Sequence, residues 1–348
     1  MTPTITASEA RDVARRWVED VGSRTPSFVG AVLHGSINWL GPNDVVLATS
    51  DIDLMLILDC GPAQPTDKLG KFRYRDVLLD VSSLTEDELR TPEAILGQYH
   101  LAGSFAGRSV IADPTGRLTA LENAVTRDYA RRRWVRERCA HALAKVRNAP
   151  AVCSSDDLAD QVMGCLFPAA VCTHVLLVAG LRNPTVRNRY LPTRSLLAEY
   201  GRSDLYDTLL TLQGCADVTA DCVRQHFAAL IVAFDAAKEA PKPPFPFAAD
   251  ISDAGRPVAI DGSRELIEGG NPREAVFWIA VTYSRCMKIL GQDRTPDAIK
   301  RGYLRLLGDL GLATFADRQR RRQHIAAALP QVWDAAEAIM EQNPNITD

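Results

Sequence analysis

Several things this chain lacks narrow the field before any motif is read. Its 40 Lys and Arg against 43 Asp and Glu leave a net charge of −3, too little of either sign to draw the protein globally to nucleic acid. The eight cysteines, at 60, 139, 153, 165, 172, 215, 222 and 286, show no Cys-x-x-Cys and no paired His spacing. Reduced, mostly buried thiols are therefore expected, rather than a disulfide framework or a zinc site. Residues 1–6 carry no basic region ahead of an apolar core, so no secretory signal is expected, and with the thiols this places the protein in the cytoplasm. No internal repeat is evident. Only one stretch, 162–181, is free of charge over about the length a bilayer requires. Pro168, Thr173 and His174 interrupt it, three aspartates (Asp156, Asp157, Asp160) precede it, and no second span exists. A buried core helix is the expectation there, and no membrane partner.

What is present reads as two kinds of structure. With 348 residues, 46% hydrophobic and 24% charged, the composition is ordinary for a globular chain of two domains. Residues 7–21 have helical spacing at Ala10, Val13, Ala14, Trp17 and Val18. Apolar, β-rich runs follow at 28–33, 51–58, 72–81 and 109–116. From there the pattern turns helical. A long helix is predicted over 118–148, with Leu121, Val125, Tyr129, Trp134, Val135 and Ala142 as its buried stripe. The apolar helix to Gly180 comes next, then helices at 193–213, 219–238, 273–290, 296–307 and 314–341. The Pro-rich segment 240–247 reads as a hinge or wrap-around stretch, followed by a long loop to Pro272. The predicted architecture is an α+β domain over residues 1–116 with a small mixed sheet, then a mostly α-helical domain over 117–348.

One segment carries most of the chemistry. Asp51 and Asp53 lie two apart at the head of the run Leu54-Met55-Leu56-Ile57-Leu58. In a strand, residues i and i+2 share a face, about 7 Å apart along the chain. Two carboxylates side by side at a buried strand repel each other and are costly to desolvate without a cation between them. Mg²⁺, a hard cation held by carboxylates and substrate phosphates, suits such a pair. Upstream, Gly35-Ser36 ends the apolar stretch Phe28-Val29-Gly30-Ala31-Val32-Leu33, where the chain is expected to turn into a helix. Glycine permits close backbone approach to a phosphate, a helix start offers free N–H groups, and Ser36 adds a hydroxyl donor.

Leu33/His34-Gly35-Ser36, a fourteen-residue spacer, and Asp51-Ile52-Asp53-Leu54 together resemble the signature of the DNA polymerase β-like nucleotidyltransferase superfamily. The likeness spans about residues 28–115. That resemblance implies a third carboxylate on a following strand. If 72–81 is one strand, Asp80 is the candidate, with Asp76 as a weaker rival on the same face. It further implies two Mg²⁺ ions, or Mn²⁺, held by Asp51, Asp53 and Asp80, with Gly35 and Ser36 at the β- and γ-phosphates of a nucleoside triphosphate co-substrate. The implied activity is transfer of a nucleoside monophosphate to an acceptor hydroxyl with release of pyrophosphate.

A second place for chemistry is the loop 182–194, which holds Arg187, Arg189, Arg194 and Tyr190. Guanidinium groups bind phosphate oxygens two at a time, and the stretch is similar to the basic Arg-Tyr-x-Pro segment of some relatives, which meets the triphosphate. The run Arg318-Gln319-Arg320-Arg321-Arg322 reads instead as a solvated helix face. By analogy with aminoglycoside and lincosamide nucleotidyltransferases, which modify antibiotics, the expected acceptor is a small molecule. Two alternatives stand beside it: transfer to tRNA or protein, which needs a basic surface joining 131–133, 187–194 and 318–322, and a non-catalytic nucleotide-binding protein, which needs Asp80 turned away from Asp51 and Asp53.

Overall fold

The computed structural model describes residues 5–60 and 69–348, the side chain of Cys153 excepted. The chain divides into two compact units. One runs to Arg138 and takes in the tail Pro344–Asp348, and the other is Cys139–Asn343. The first is α+β with a small mixed sheet, and the second is helical.

In the first unit β1 (Ile5–Thr6) and β3 (Val45–Val46) form a short antiparallel pair. The main sheet contains β2 (Phe28–His34), β4 (Ile52–Leu58), β5 (Gly70–Tyr74), β6 (Val77–Thr85) and β7 (Val110–Ala112), in the order β5-β6-β4-β2-β7. Strands β4 and β6 run parallel and the other neighbours antiparallel. Period-two alternation sorts the side chains onto two faces. Ile52, Leu54, Leu56, Leu79 and Val81 join Ala31 and Leu33 against Ala10, Ala14 and Trp17 of α1 (Ala7–Asp20), whose start is fixed by a Thr6–Glu9 capping box. On the opposite face Val32, Met55 and Ile57 meet α2 (Pro92–Leu96), α3 (Arg117–Asp128) and Trp134 of α4 (Arg132–Arg147). The expected domain boundary at 116 falls just before α3. The observed division lies further on, because Leu118, Leu121, Val125 and Trp134 share a core with the sheet.

Two expected continuous elements are broken. Residues 72–81 form a hairpin instead of one strand: Tyr74 pairs with Val77, and Arg75 and Asp76 make a two-residue turn with φ of 47° and 66°. Both central residues at positive φ match the primed turns that join twisted strands. The predicted helix 118–148 is two helices. At the break Thr347 from the C-terminal tail takes over the main chain, donating to the Ala130 carbonyl (3.0 Å) and accepting from the Arg132 N–H (2.7 Å).

In the helical unit α5 (Leu158–Ala179), the charge-free stretch, lies buried, packed against α10 (Pro272–Leu290) and α12 (Phe315–Gln342). Around them stand α6 (Tyr190–Glu199), α7 (Asp204–Gln213), α8 (Ala220–Glu239), α9 (Gly262–Glu268) and α11 (Asp297–Asp309). The expected helix 193–213 breaks between α6 and α7, where Gly201 takes a φ of 66°. The expected long loop before Pro272 contains a π-helical turn, Pro257–Asp261, and α9. The Pro-rich stretch wraps onto α10 within this unit, with Phe247 under Arg285 (4.4 Å) and Phe245 under Lys288 (5.4 Å).

Candidate functional site

Strand register builds the acidic site. Lys71 on β5 faces Asp80 on β6, Asp80 faces Asp53 on β4, and Asp53 faces His34 on β2, so one row crosses four strands. Directly opposed residues point to the same face of a sheet. Asp51, two positions before Asp53, joins the row from the loop leading into β4. Carboxylate oxygens of Asp51, Asp53 and Asp80 lie within 4.8 Å of one another. This is the face that holds Met55 and Ile57 further along β4. The acids thus stand at one end of an apolar surface, with Asp80 buried and Asp51 and Asp53 half-buried.

Lys71, unremarked in the sequence, sets the electrostatics. Its ammonium donates to Asp51 Oδ2 and to Asp80 Oδ2, and its side chain is 8% exposed. Counted at their formal charges, the three carboxylates and this ammonium sum to −2 over four side chains. His34 adds no counter-charge near neutral pH, since burial holds its imidazole down at about 4; its Nδ1 hydrogen-bonds the Ser104 hydroxyl. The signal for Lys71 was present in principle. Once Arg75 and Asp76 are read as a two-residue turn, Lys71 must face Asp80.

The turn after β2 also fits close approach. Gly35 has a φ of 68°, and a Cβ there would collide with the Asp53 carboxylate, so only glycine fits. Instead of a regular helix, the chain makes the short 3-10 turn Gly35–Trp39, with Ser36 partly exposed on its first residues. Asp76, the rival third acid, is exposed in the hairpin turn and absent from the cluster. The donor set consists of oxygens alone, the chemistry a hard divalent cation prefers, and the Lys71 ammonium already stands between two of the acids.

The arginines of the basic loop have other occupations. Arg189 is 1% exposed, donates from Nε to the Val186 carbonyl (2.6 Å) and stacks on Phe277 at 4.4 Å. Arg187 is buried against Gly262, where a Cβ would meet its guanidinium. Arg194, half-exposed, pairs with buried Glu274 (3.0 Å) and with Asn271 (2.9 Å). The run 318–322 is a solvated face only at Gln319 and Arg320; Arg318 is buried and Arg321 and Arg322 are half-buried. Arg318 donates to the carbonyls of Leu312 (2.7 Å) and Ala313 (3.0 Å), and Arg321 to those of Leu212 and Leu310 (both 2.8 Å). Arg322 reaches Ala149 at 3.2 Å. The Leu212, Leu310 and Ala149 carbonyls sit at the C-terminal ends of α7, α11 and α4, where main-chain acceptors lack intrahelical partners and a cation is favoured, whereas Leu312 and Ala313 lie in the turn ahead of Thr314, the N-cap of α12.

The helical unit also holds a cavity of 760 Å³ bordered by His141, Lys145, Phe167, Phe245, Phe247 and Arg285. Its size is that of pockets for small organic ligands, about 300–1,000 Å³. No family model matches the chain, and no curated protein matches it.

Proposed function

We propose that the protein is a metal-dependent nucleotidyltransferase that moves a nucleoside monophosphate from a nucleoside triphosphate to a hydroxyl of a small-molecule acceptor. The observation that carries this reading is the convergence of Asp53 and Asp80, from two parallel strands, with Asp51 from the loop leading into one of them, beside the Gly35 turn. In this reading Asp51, Asp53 and Asp80 hold Mg²⁺. Bound there, the ion neutralises triphosphate charge and makes the acceptor oxygen a better nucleophile.

The chain's own groups do the rest. Gly35 admits the β- and γ-phosphates close to the main chain, and Ser36 donates its hydroxyl to them. Lys71 holds Asp51 and Asp80 in place. Asp80 accepts the acceptor's hydroxyl proton as the acceptor oxygen bonds to the α-phosphorus and the bond to the bridging oxygen breaks, releasing pyrophosphate. Such transfers depend on positioning and charge neutralisation more than on covalent catalysis.

A small acceptor is favoured by the net charge of −3, which gives no global attraction to nucleic acid. Transfer to tRNA or protein has less support, since Arg189, Arg318 and Arg321 are spent on internal carbonyls. The same reading keeps the protein cytoplasmic. The test is incubation with each α-labelled triphosphate, Mg²⁺ and a panel of hydroxyl-bearing acceptors. Acceptor-dependent pyrophosphate release and a labelled product are expected. Triphosphate binding with no transfer to any acceptor, nucleic acid and protein included, would favour a binding protein.

A further inference from the structure

Among the described residues, a second group of metal-type donors lies far from the acidic row in sequence: Cys222, His226 and Asp309. Cys222 and His226 are four apart at the start of α8, so they stand on one face a helical turn apart. Asp309 is the last residue of α11, which packs on α8. The Cys222 Sγ lies 3.3 Å from His226 Nε2 and 3.2 Å from Asp309 Oδ2, and Nε2 lies 2.8 Å from that same Oδ2.

Three contacts among three donor atoms demand an explanation. A nucleophile–base–carboxylate relay does not provide one, because there the carboxylate orients the ring through the nitrogen opposite the nucleophile. Here thiol and carboxylate both address Nε2. Hydrogen bonding alone covers two edges: a thiol proton and an imidazole proton both go to Asp309, leaving the Cys222–His226 edge without a hydrogen of its own.

We propose that Cys222, His226 and Asp309 form a three-ligand site for a borderline-soft divalent transition metal, with zinc the best fit. Thiolate, imidazole and carboxylate are the side chains zinc takes, and three protein ligands leave a fourth position for water. Tetrahedral zinc at ordinary bond lengths sets its donors about 3.3–3.6 Å apart. The two sulfur edges therefore open by about 0.3 Å and the Nε2–Oδ2 edge by at least about 0.5 Å. The His226 side chain is 4% exposed and held, whereas Asp309, at 39%, has freedom to move. Binding replaces the Cys222 thiol proton, which passes to water, and fastens α8 to α11. The oxygen-only acidic row asks for a harder cation, so the two sites differ in chemistry as well as position.

Cobalt(II) titration of the chelator-treated full-length protein tests this. One equivalent should produce near-ultraviolet sulfur-to-cobalt charge transfer with the visible bands of tetrahedral cobalt, and zinc should abolish both. Cys222→Ser should remove the charge-transfer band, and Asp53→Asn should leave it unchanged. Asp309→Asn, which leaves the buried histidine untouched, should weaken zinc binding more than tenfold in competition with a chelating dye. Absence of the band at excess cobalt, its survival in Cys222→Ser, or unaltered zinc affinity in Asp309→Asn would overturn the assignment.

Discussion

On the sheet of the first unit Asp51, Asp53 and Asp80 crowd within 4.8 Å and share the ammonium of Lys71, whereas in the helical unit Arg318, Arg321 and Arg322 each reach main-chain carbonyls. Both are dense clusters of one sign. They differ in what answers the charge. Helix ends supply partial negative charge wherever main-chain acceptors end unpaired, so a buried arginine finds its partners in the fold itself. Carboxylates in a sheet face receive no comparable help, since a sheet carries only a small net dipole. The arginine cluster therefore serves stability, while the acidic cluster retains negative charge that an external cation can meet.

Substitutions should separate the two. The largest effect is expected at Asp80. Its change to Asn removes proton acceptance with little change of shape, and single-turnover transfer should fall by about 10²–10⁴-fold. Folding should hold, because Asn keeps an oxygen acceptor for the Lys71 ammonium and Asp51 keeps its charge beside it. A variant that unfolds instead would mean that the acids stabilise the fold as the arginines do. Next comes Arg318→Ala. The buried Leu312 carbonyl stripped of its donor costs about 1–3 kcal/mol, while that of exposed Ala313 can turn to water, so urea unfolding should show a loss of about 1–3 kcal/mol. No loss would return the 318–322 run to a wet face and dissolve the contrast.

Much of the acidic site was legible because it is local. Asp51 and Asp53 share a strand-like spacing, and Gly35-Ser36 stands a fourteen-residue spacer upstream. The hairpin was hidden because neither Arg75 nor Asp76 is a glycine, and with it went the link from Lys71 to Asp80. The break between α3 and α4 was illegible for a different reason: its cause, Thr347, lies more than 200 residues away. Arginine destinations were equally out of reach, as whether a guanidinium meets solvent or a helix end is decided by packing. Cys222 and His226 show helical i, i+4 spacing, but Asp309 is contributed by another helix.

Two smaller effects sharpen the comparison. His174 is buried in the helical unit with Nε2 2.9 Å from the Thr185 carbonyl, and burial, aided by the charge of Arg189, holds its pKa well below 6.5. Below that pH the unfolded chain binds the proton first. The folded state then loses stability as pH falls, by up to about 1.4 kcal/mol per unit, and gains nothing from this group above it. His174→Gln should flatten that slope in denaturation curves taken between pH 7 and 5. The smallest change belongs to Asp76→Asn. Asparagine tolerates positive φ, so stability should shift by less than about 0.5 kcal/mol, and transfer should continue at the parent rate. A crippled Asp76→Asn enzyme would mean that the third carboxylate had been assigned to the wrong residue.

In the proposed function the acidic row is a cation site serving a triphosphate. Calorimetric titration of a nucleoside triphosphate into the parent and into Asp53→Asn, each with and without Mg²⁺, tests it most directly. Mg²⁺ should tighten binding to the parent at least tenfold and have little effect on the folded Asp53→Asn protein. Equal triphosphate affinity in the parent with and without the ion would contradict the account.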